Sequence, residues 1–392
     1  MRAYRTWYPQ PDNLIQERSF RMDSTPEQSF VPDAPDSVQE TAQLIEAGLP
    51  PVTPEPSLAR RIFMGPFGLR AGWSLLIYLF IIAAIIGGLN MSHLRATAAH
   101  HDAAKSGQSS TAQSDAAKSD SDKGMTVEST IVFEGIAFIV LVLLSWLMAA
   151  IEGRSIWAFG LGGSHAVARF LVGAVWGLLA LSLLIGALWA MHLLVFDGEL
   201  DHGLEIVKWG SAQLLAFLIV GLVEEYLFRG YLQFTLTRGL VGLGNLISKQ
   251  HGRTISFWIA AVVTSALFFL AHTGNSGENA EGLVMVFMAG VLFLVALWRT
   301  GSLWWAIGFH TAWDWAQSFL YGVPDSGGLV QGRLFATHAL GTPMLSGGTD
   351  GPEGSLLCLP ILVLVILVLV FFTRSSPQAP LETTAQLQEA GA

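Results

Sequence analysis

The chain has 392 residues, of which 52% are hydrophobic and only 13% are charged, and its net charge is −9. Soluble domains average about 25% charged residues, so this composition excludes an ordinary soluble domain and indicates a polytopic membrane protein. There is no basic stripe or nucleic-acid motif, so no nucleic-acid partner is expected. Cys358, the single cysteine, lies in an apolar run, which excludes disulfides and cysteine-based metal sites.

Polar segments flank and interrupt the apolar part of the chain. Residues 1–66 are rich in Pro, Glu, Asp, Ser and Gln and are predicted to be a disordered N-terminal tail. Residues 93–128 form a polar, low-complexity stretch that is predicted to be a solvated loop. Residues 374–392 are predicted to be a disordered C-terminal tail, which leaves 67–373 as the membrane-embedded region.

Eight apolar runs lie in this region, and most reach the ~17–25 residues that a helix needs to cross the hydrocarbon. They predict an all-α, polytopic membrane helix bundle with about eight transmembrane helices. The runs are 71–92, 131–151, 170–196, 209–237, 255–272, 282–298, 302–320 and 356–373.

Lysines and arginines near the ends of these runs predict the orientation. If the N-terminus is inside, the cytoplasmic segments contain most of these residues, among them Arg70, Arg154, Arg169, Arg238 and Arg299. An even number of spans then returns the C-terminus to the same side. We therefore expect an N-in, C-in protein.

The run at 209–237 carries charges that a simple anchor would not need. Glu224, Glu225 and Arg229 lie in its apolar part, and each ionised group at a bilayer centre costs roughly 2.5–3.5 kcal/mol on insertion scales. Glu225 and Arg229 are four residues apart, so they share a helix face and can form an ion pair. Glu224 points about 100° away and is predicted to be the acid that is left free for chemistry.

Two further runs carry histidines. His272 ends the run at 255–272, one turn after Phe268, and the run at 302–320 places His310 and Asp314 on one helix face. Asp314 could orient the His310 ring, accept a proton or join it as a ligand. Ionisable groups inside membranes normally face the bundle interior and pair with one another, so these groups are expected to converge on Glu224.

These side chains are suited to water activation. A glutamate and two histidines can activate a water for attack on a carbonyl, either directly or through a divalent metal such as zinc held by His272, His310 and Asp314. The sequence contains neither G-x-S-x-G nor H-E-x-x-H, which excludes an ordinary serine hydrolase and an ordinary zinc protease helix. The residues predict hydrolysis inside a membrane bundle and leave a proton or ion pathway open.

Three motifs resemble those of a known family in order and approximate spacing. Glu224-Glu225-x-x-x-Arg229, Phe268-x-x-x-His272 and His310-x-x-x-Asp314 are similar to the E-E-x-x-x-R, F-x-x-x-H and H-x-x-x-N/D motifs of the CAAX protease and bacteriocin-processing (CPBP, Abi) family. These are intramembrane proteases that include the Ras-converting type of prenyl-protein endopeptidase. The resemblance covers about residues 209–320, the predicted catalytic core.

The resemblance implies a role for each matching position. Glu224 would activate the water, His272 would bind or polarise it, and His310 with Asp314 would stabilise the oxyanion. The prenyl-protein enzymes carry Asn where this chain has Asp314. An Asp cannot donate a hydrogen bond unless it is protonated, which favours a ligating or ring-orienting role. The supporting positions are Glu225, Arg229 and Phe268.

We therefore expect an intramembrane endopeptidase in the cytoplasmic membrane of a bacterium, with the lipid bilayer and a peptide or membrane-protein substrate as partners. Two alternatives use the same residue types. One is a non-proteolytic scaffold or partner-binding protein whose polar cluster serves packing. The other is a proton-coupled transporter, against which stands the lack of an internal repeat or of matching broken helices.

The predicted depths of the polar groups disagree with one another. At ~1.5 Å per residue, Glu224 would lie ~21 Å from Arg238, His272 ~28 Å from Arg253 and His310 ~14 Å from Gly301. Side chains that bind the same water must lie at the same depth in the membrane. Either the predicted edges are displaced by a turn or more, or the helices tilt and start at different depths.

Overall fold

The computed structural model describes residues 57–65, 68–85, 126–163, 165–275, 277 and 279–373. The predicted C-terminal tail, nearly all of the predicted loop and the N-terminal tail up to residue 56 lie outside these residues. The described part is a set of apolar helices with two small antiparallel sheets and no closed sheet. This confirms the predicted class, a helical membrane bundle.

The helices are α1 (Leu58–Phe63), α2 (Ala71–Ile85), α3 (Val127–Ile151), α4 (Ala166–Ala190), α5 (Leu204–Glu224), α6 (Gln233–Ile247), α7 (Gly252–His272), α8 (Ala280–Thr300), α9 (Trp304–Trp315), α10 (Pro343–Ser346) and α11 (Cys358–Phe372). The strands are β1 (Met64–Gly65), β2 (Gly68–Leu69), β3 (Leu194–Glu199) and β4 (Phe335–Ala339). Strand β1 pairs with β2, and β3 pairs with β4 in a register that joins Leu194 to Ala339 and Glu199 to Phe335.

Five helical segments in the described residues are long and apolar enough to cross a membrane: α3, α4, α7, α8 and the continuous helix Leu204–Ile247. Helices α2 and α11 are shorter apolar helices, and α9 continues through a π-helical segment, Ala316–Leu320. Each of the eight predicted runs is therefore at least partly helical. The fourth predicted run differs most from the structure, because residues 209–237 are only part of a continuous helix of 44 residues.

Two predicted boundaries also move. Residues 58–65, which the sequence places in the tail, form α1 and β1, because tertiary bonds attach them to the start of α2. The indole of Trp73 donates to the carbonyl of Ile62 at 3.2 Å, and its ring contacts Phe63 at 4.9 Å. The run at 170–196 is helical only to Ala190, because residues from Leu194 onward pair with β4.

Helices α4 and α9 approach each other closely through glycines. A Cβ atom at Gly173 would collide with the carbonyl oxygen of Trp305, one at Gly177 with that of Phe309, and one at Gly308 with that of Phe170. Small residues at this spacing let the backbones of membrane helices approach closely. The contact fixes the position of α9, which carries His310 and Asp314.

The depth of the site follows from two contacts of α3. At its start, Val127 packs in one apolar cluster with Trp209. Beyond its end, the carboxylate of Glu152 accepts a bond from Arg238 at 2.9 Å. One membrane-length helix thus runs beside residues 209 to 238, with Glu224 about midway. The predicted edges were displaced: α6 continues past Arg238 to Ile247, and α7 returns antiparallel to it, which brings His272 level with Glu224.

The α4–α9 contact generates a matched pair of substitutions. Gly177→Ala should lower the melting temperature of the purified protein, because forced overpacking typically costs about 1–3 kcal/mol. Gly186→Ala, in the same helix but with nothing within 4 Å of its added Cβ, should leave it unchanged or raise it, since Ala favours a helix over Gly by about 1 kcal/mol. Equal melting temperatures for the two variants would contradict the close packing.

Candidate active site

The first motif lies where the long helix changes from α to π geometry. Helix α5 ends at Glu224, and Glu225–Leu232 is π-helical, a rare form that is frequent at functional sites. The side chains of Glu225 and Arg229 are 0% and 1% exposed, and Arg229 Nη1 donates to Glu225 Oε1 at 3.0 Å. The predicted same-face ion pair is therefore present and fully buried.

His310 lies among three carboxylates. Its Nδ1 is 3.0 Å from Oε1 of Glu225, and its Nε2 is 3.3 Å from Oδ2 of Asp314 and 3.7 Å from Oε2 of Glu224. Both ring nitrogens can donate at once only in the imidazolium form. The contact with Glu225 is not evident from sequence spacing, which pairs Glu225 with Arg229 alone.

Two phenylalanines hold the charged groups in place. The guanidinium of Arg229 lies 4.0 Å from the ring centre of Phe268 and 5.2 Å from that of Phe293. The ring of Phe293 also stacks on His310 at 5.4 Å and 22°. This explains the first position of the F-x-x-x-H motif, because Phe268 covers the buried cation. Phe293 was missed, since nothing distinguishes it from other apolar residues of its helix.

His272 is oriented by its own helix. Its Nδ1 is 2.9 Å from the carbonyl oxygen of Phe268, and its ring meets that of Phe268 edge-on at 4.5 Å. A carbonyl can only accept, so Nδ1 carries the proton and Nε2 of the neutral ring is an acceptor. Sequence spacing predicts the turn between the two residues, and the structure adds the bond that selects the tautomer.

A cavity of about 90 Å³ joins the second and third motifs. His272, His310 and Asp314 line it, whereas Glu224 is outside its lining and adjoins it at His310, whose Nε2 lies 3.7 Å from Oε2 of Glu224. The side chain of Glu224 is 25% exposed, and its Oε2 is buried with no hydrogen-bond partner among the described residues. The structure thus brings the four predicted catalytic residues together, with Glu224 next to His310 at the edge of the cavity.

The far end of the cavity is built by loops that the sequence does not single out. Asp325, Ser326 and Glu353 line it. The carboxylate of Glu353 accepts a bond from the Ser326 amide at 2.6 Å and one from the Gln317 amide group. Burial, reinforced by the charges of Asp325 and Asp350, holds the pKa of Glu353 well above its usual range. No motif or regular spacing marks these residues, because the chain brings them there only by folding.

The donor set does not form a ready metal site. Among the described residues, no group of three His, Cys, Asp or Glu side chains is arranged to hold a metal ion. Each nitrogen of His310 faces a carboxylate rather than an open position. A zinc ion at His272, His310 and Asp314 stays a prediction.

The buried pair generates a stability test. Arg229→Leu should cost about 3–5 kcal/mol, because it leaves Glu225 buried with one cation fewer, and should greatly reduce the yield of folded protein. The double variant Glu225→Gln/Arg229→Leu should recover much of the melting temperature. Lys208→Ala breaks an exposed pair with Glu205 on the same helix and should cost at most about 1 kcal/mol. Similar losses for the two single variants would contradict the burial of the pair.

Residues 208–316 match the family described as type II CAAX prenyl endopeptidase, Rce1-like. The matched segment contains all three motifs. Comparisons with curated proteins and with solved structures found no significant match. The match confirms the resemblance that the motifs predict: residues 208–316 are similar to the Rce1-like CAAX prenyl endopeptidases, which supports assignment to the CAAX protease (CPBP) family.

Proposed function

We propose that this protein is an intramembrane endopeptidase that hydrolyses a peptide bond with a water activated by Glu224. The carrying observation is that the Glu224 carboxylate lies 3.7 Å from His310 beside the cavity that His310 shares with His272. The site lies about midway along the membrane-length helix α3. Its substrate is therefore a peptide segment that reaches the interior of the bundle.

Glu224 is the general base in this proposal. Its Oε2 makes no hydrogen bond in the described residues, so it can take a proton from a water without breaking an existing bond. Nε2 of His272 accepts a hydrogen bond from the second hydrogen of that water. This bond orients a lone pair of the water oxygen toward the substrate carbonyl carbon. The hydroxide then attacks, and Glu224 passes its proton to the leaving amine.

His310 stabilises the oxyanion of the tetrahedral intermediate. Its Nδ1 is held by Glu225 at 3.0 Å, whereas its Nε2 faces Asp314 and Glu224 at the longer distances of 3.3 and 3.7 Å. Because its contacts on this side are long, the Nε2–H group can also donate to the developing negative charge, and such a donor contributes most in a water-poor site. Asp314 orients the ring by accepting, a role that does not require the donor that Asn would offer.

The cavity lining favours apolar substrate groups. Phe268, Met285, Val286, Ala289 and Phe293 cover much of its wall. An apolar side chain or a lipid attached to the peptide would gain free energy by burial there. Cleavage of prenylated CAAX peptides is the specific form of the proposal, and the bacterial cytoplasmic membrane with N-in, C-in orientation is the proposed location.

Cleavage by the reconstituted protein tests the mechanism. A farnesylated CAAX peptide and its unprenylated counterpart are assayed with a mixed peptide library, and products are identified by mass spectrometry. Glu224→Gln should lower kcat by about 10²–10⁴-fold, as expected for removal of a general base, without changing the melting temperature. Glu205→Gln, an exposed acid on the same helix, is the control. Full activity of Glu224→Gln would refute the mechanism.

Asp314 can be tested by comparing two replacements. Asp314→Asn keeps an oxygen that accepts from His310 Nε2 and should retain cleavage within about tenfold of the native rate. Asp314→Ala leaves the ring unsupported and should lose about 10²-fold, the scale of a 1 Å misplacement. Equal and complete loss in both variants would show that the negative charge itself is needed and would overturn the orienting role.

A further inference from the structure

A second cavity, of about 330 Å³, lies apart from the active site, where α4 and α9 begin and α8 and α11 end. We call it the arginine groove. None of its lining residues belongs to the three motifs. They are Ala168, Arg169, Val172, Trp176, Arg299, Thr300, Trp305, Val368, Leu369 and Thr373.

The arginine groove combines an apolar wall with two cations and has no acid in its lining. Arg169 makes no side-chain hydrogen bond or ion pair within the described residues. Arg299 donates through Nη2 to the carbonyl of Val370 at 2.6 Å and to that of Thr373, at the end of α11. Its Nε is buried with no partner among the described residues. Carbonyl bonds leave the positive charge of Arg299 uncompensated, so the groove attracts an anion.

The position of the arginine groove and its apolar lining favour a lipid over a free anion. Four helix ends meet at the groove, so it lies at one end of the apolar part of the bundle, where headgroups meet acyl chains. Trp176 is of the type that occupies this interface, and the exposed Val172 and the partly exposed Val368 offer a surface for an acyl chain, whereas Trp305 and Leu369 are only 3% and 4% exposed. Basic pockets between membrane helices bind the headgroups of anionic lipids.

We propose that the arginine groove binds an anionic phospholipid, with the phosphate held between Arg169 and Arg299 and an acyl chain against Val172 and α11. Guanidinium groups suit this task because their planar donors match phosphate oxygens. Binding would also brace the active site. Trp305 stacks on Phe309 at 5.4 Å and 27°, and Phe309 precedes His310. This proposal concerns binding and is independent of the proteolytic activity.

Lipid titration of the detergent-purified full chain tests the proposal. Phosphatidylglycerol should raise the melting temperature and remain bound in native mass spectra, whereas phosphatidylcholine with the same acyl chains should do neither. Arg169→Gln should weaken the apparent affinity by at least about fivefold, the scale expected for one arginine at a membrane surface. Arg169→Lys, which keeps the charge but loses the planar donors, should fall between the native protein and Arg169→Gln. Arg253→Gln, near the start of α7 at the same end of the bundle, is the control.

Three results would overturn the proposal. Equal stabilisation by phosphatidylcholine would mean that the groove only needs apolar filling. An equal shift with inorganic phosphate alone would mean a general anion site. A phosphatidylglycerol effect that emerges only after deletion of residues 377–392 would mean that this segment of the chain is the native occupant. None of these measurements depends on cleavage, so they remain decisive if the proposed activity fails.

Discussion

One carboxylate oxygen joins the two halves of the candidate site. Oε1 of Glu225 receives both Nη1 of Arg229 and Nδ1 of His310, each at 3.0 Å. A buried charge must be paired and hydrogen-bonded, and here the pairing links the π-helical segment of the long helix to α9. Glu225 is therefore more than a partner that lets Arg229 enter the membrane. It also sets the position of the ring that faces Glu224.

That link requires α9 to approach its neighbours closely. Glycines at the α4–α9 contact leave no room for a Cβ atom on either helix, so close packing places the backbone of α9 where its polar side chains can pair. The second π-helical segment, Ala316–Leu320, follows directly after the turn that carries Asp314. Both irregular segments therefore adjoin the motifs, as expected where local geometry serves a site rather than helix stability.

Helix α9 also connects two distinct environments. In its second half, His310 and Asp314 line a cavity that continues to Asp325 and Glu353. At its start, Trp305 lines the arginine groove. Stacking runs between them, from Trp305 to Phe309 and on to Trp313. In packed interiors such contacts transmit displacement, so a lipid in the groove and a substrate in the cavity would act on the same helix.

The sequence by itself determined the membrane class, the approximate spans, the Glu225–Arg229 pair and the three motifs, because apolar run length and helical spacing are local properties. Tertiary structure decided the rest. Depths were misjudged because hydropathy cannot show that α6 continues past the level where α3 ends. Phe293, Ser326 and Glu353 were missed because no spacing marks them. The contact of His310 with Glu225 joins residues 85 positions apart, and only the packing of α9 against the long helix brings them together.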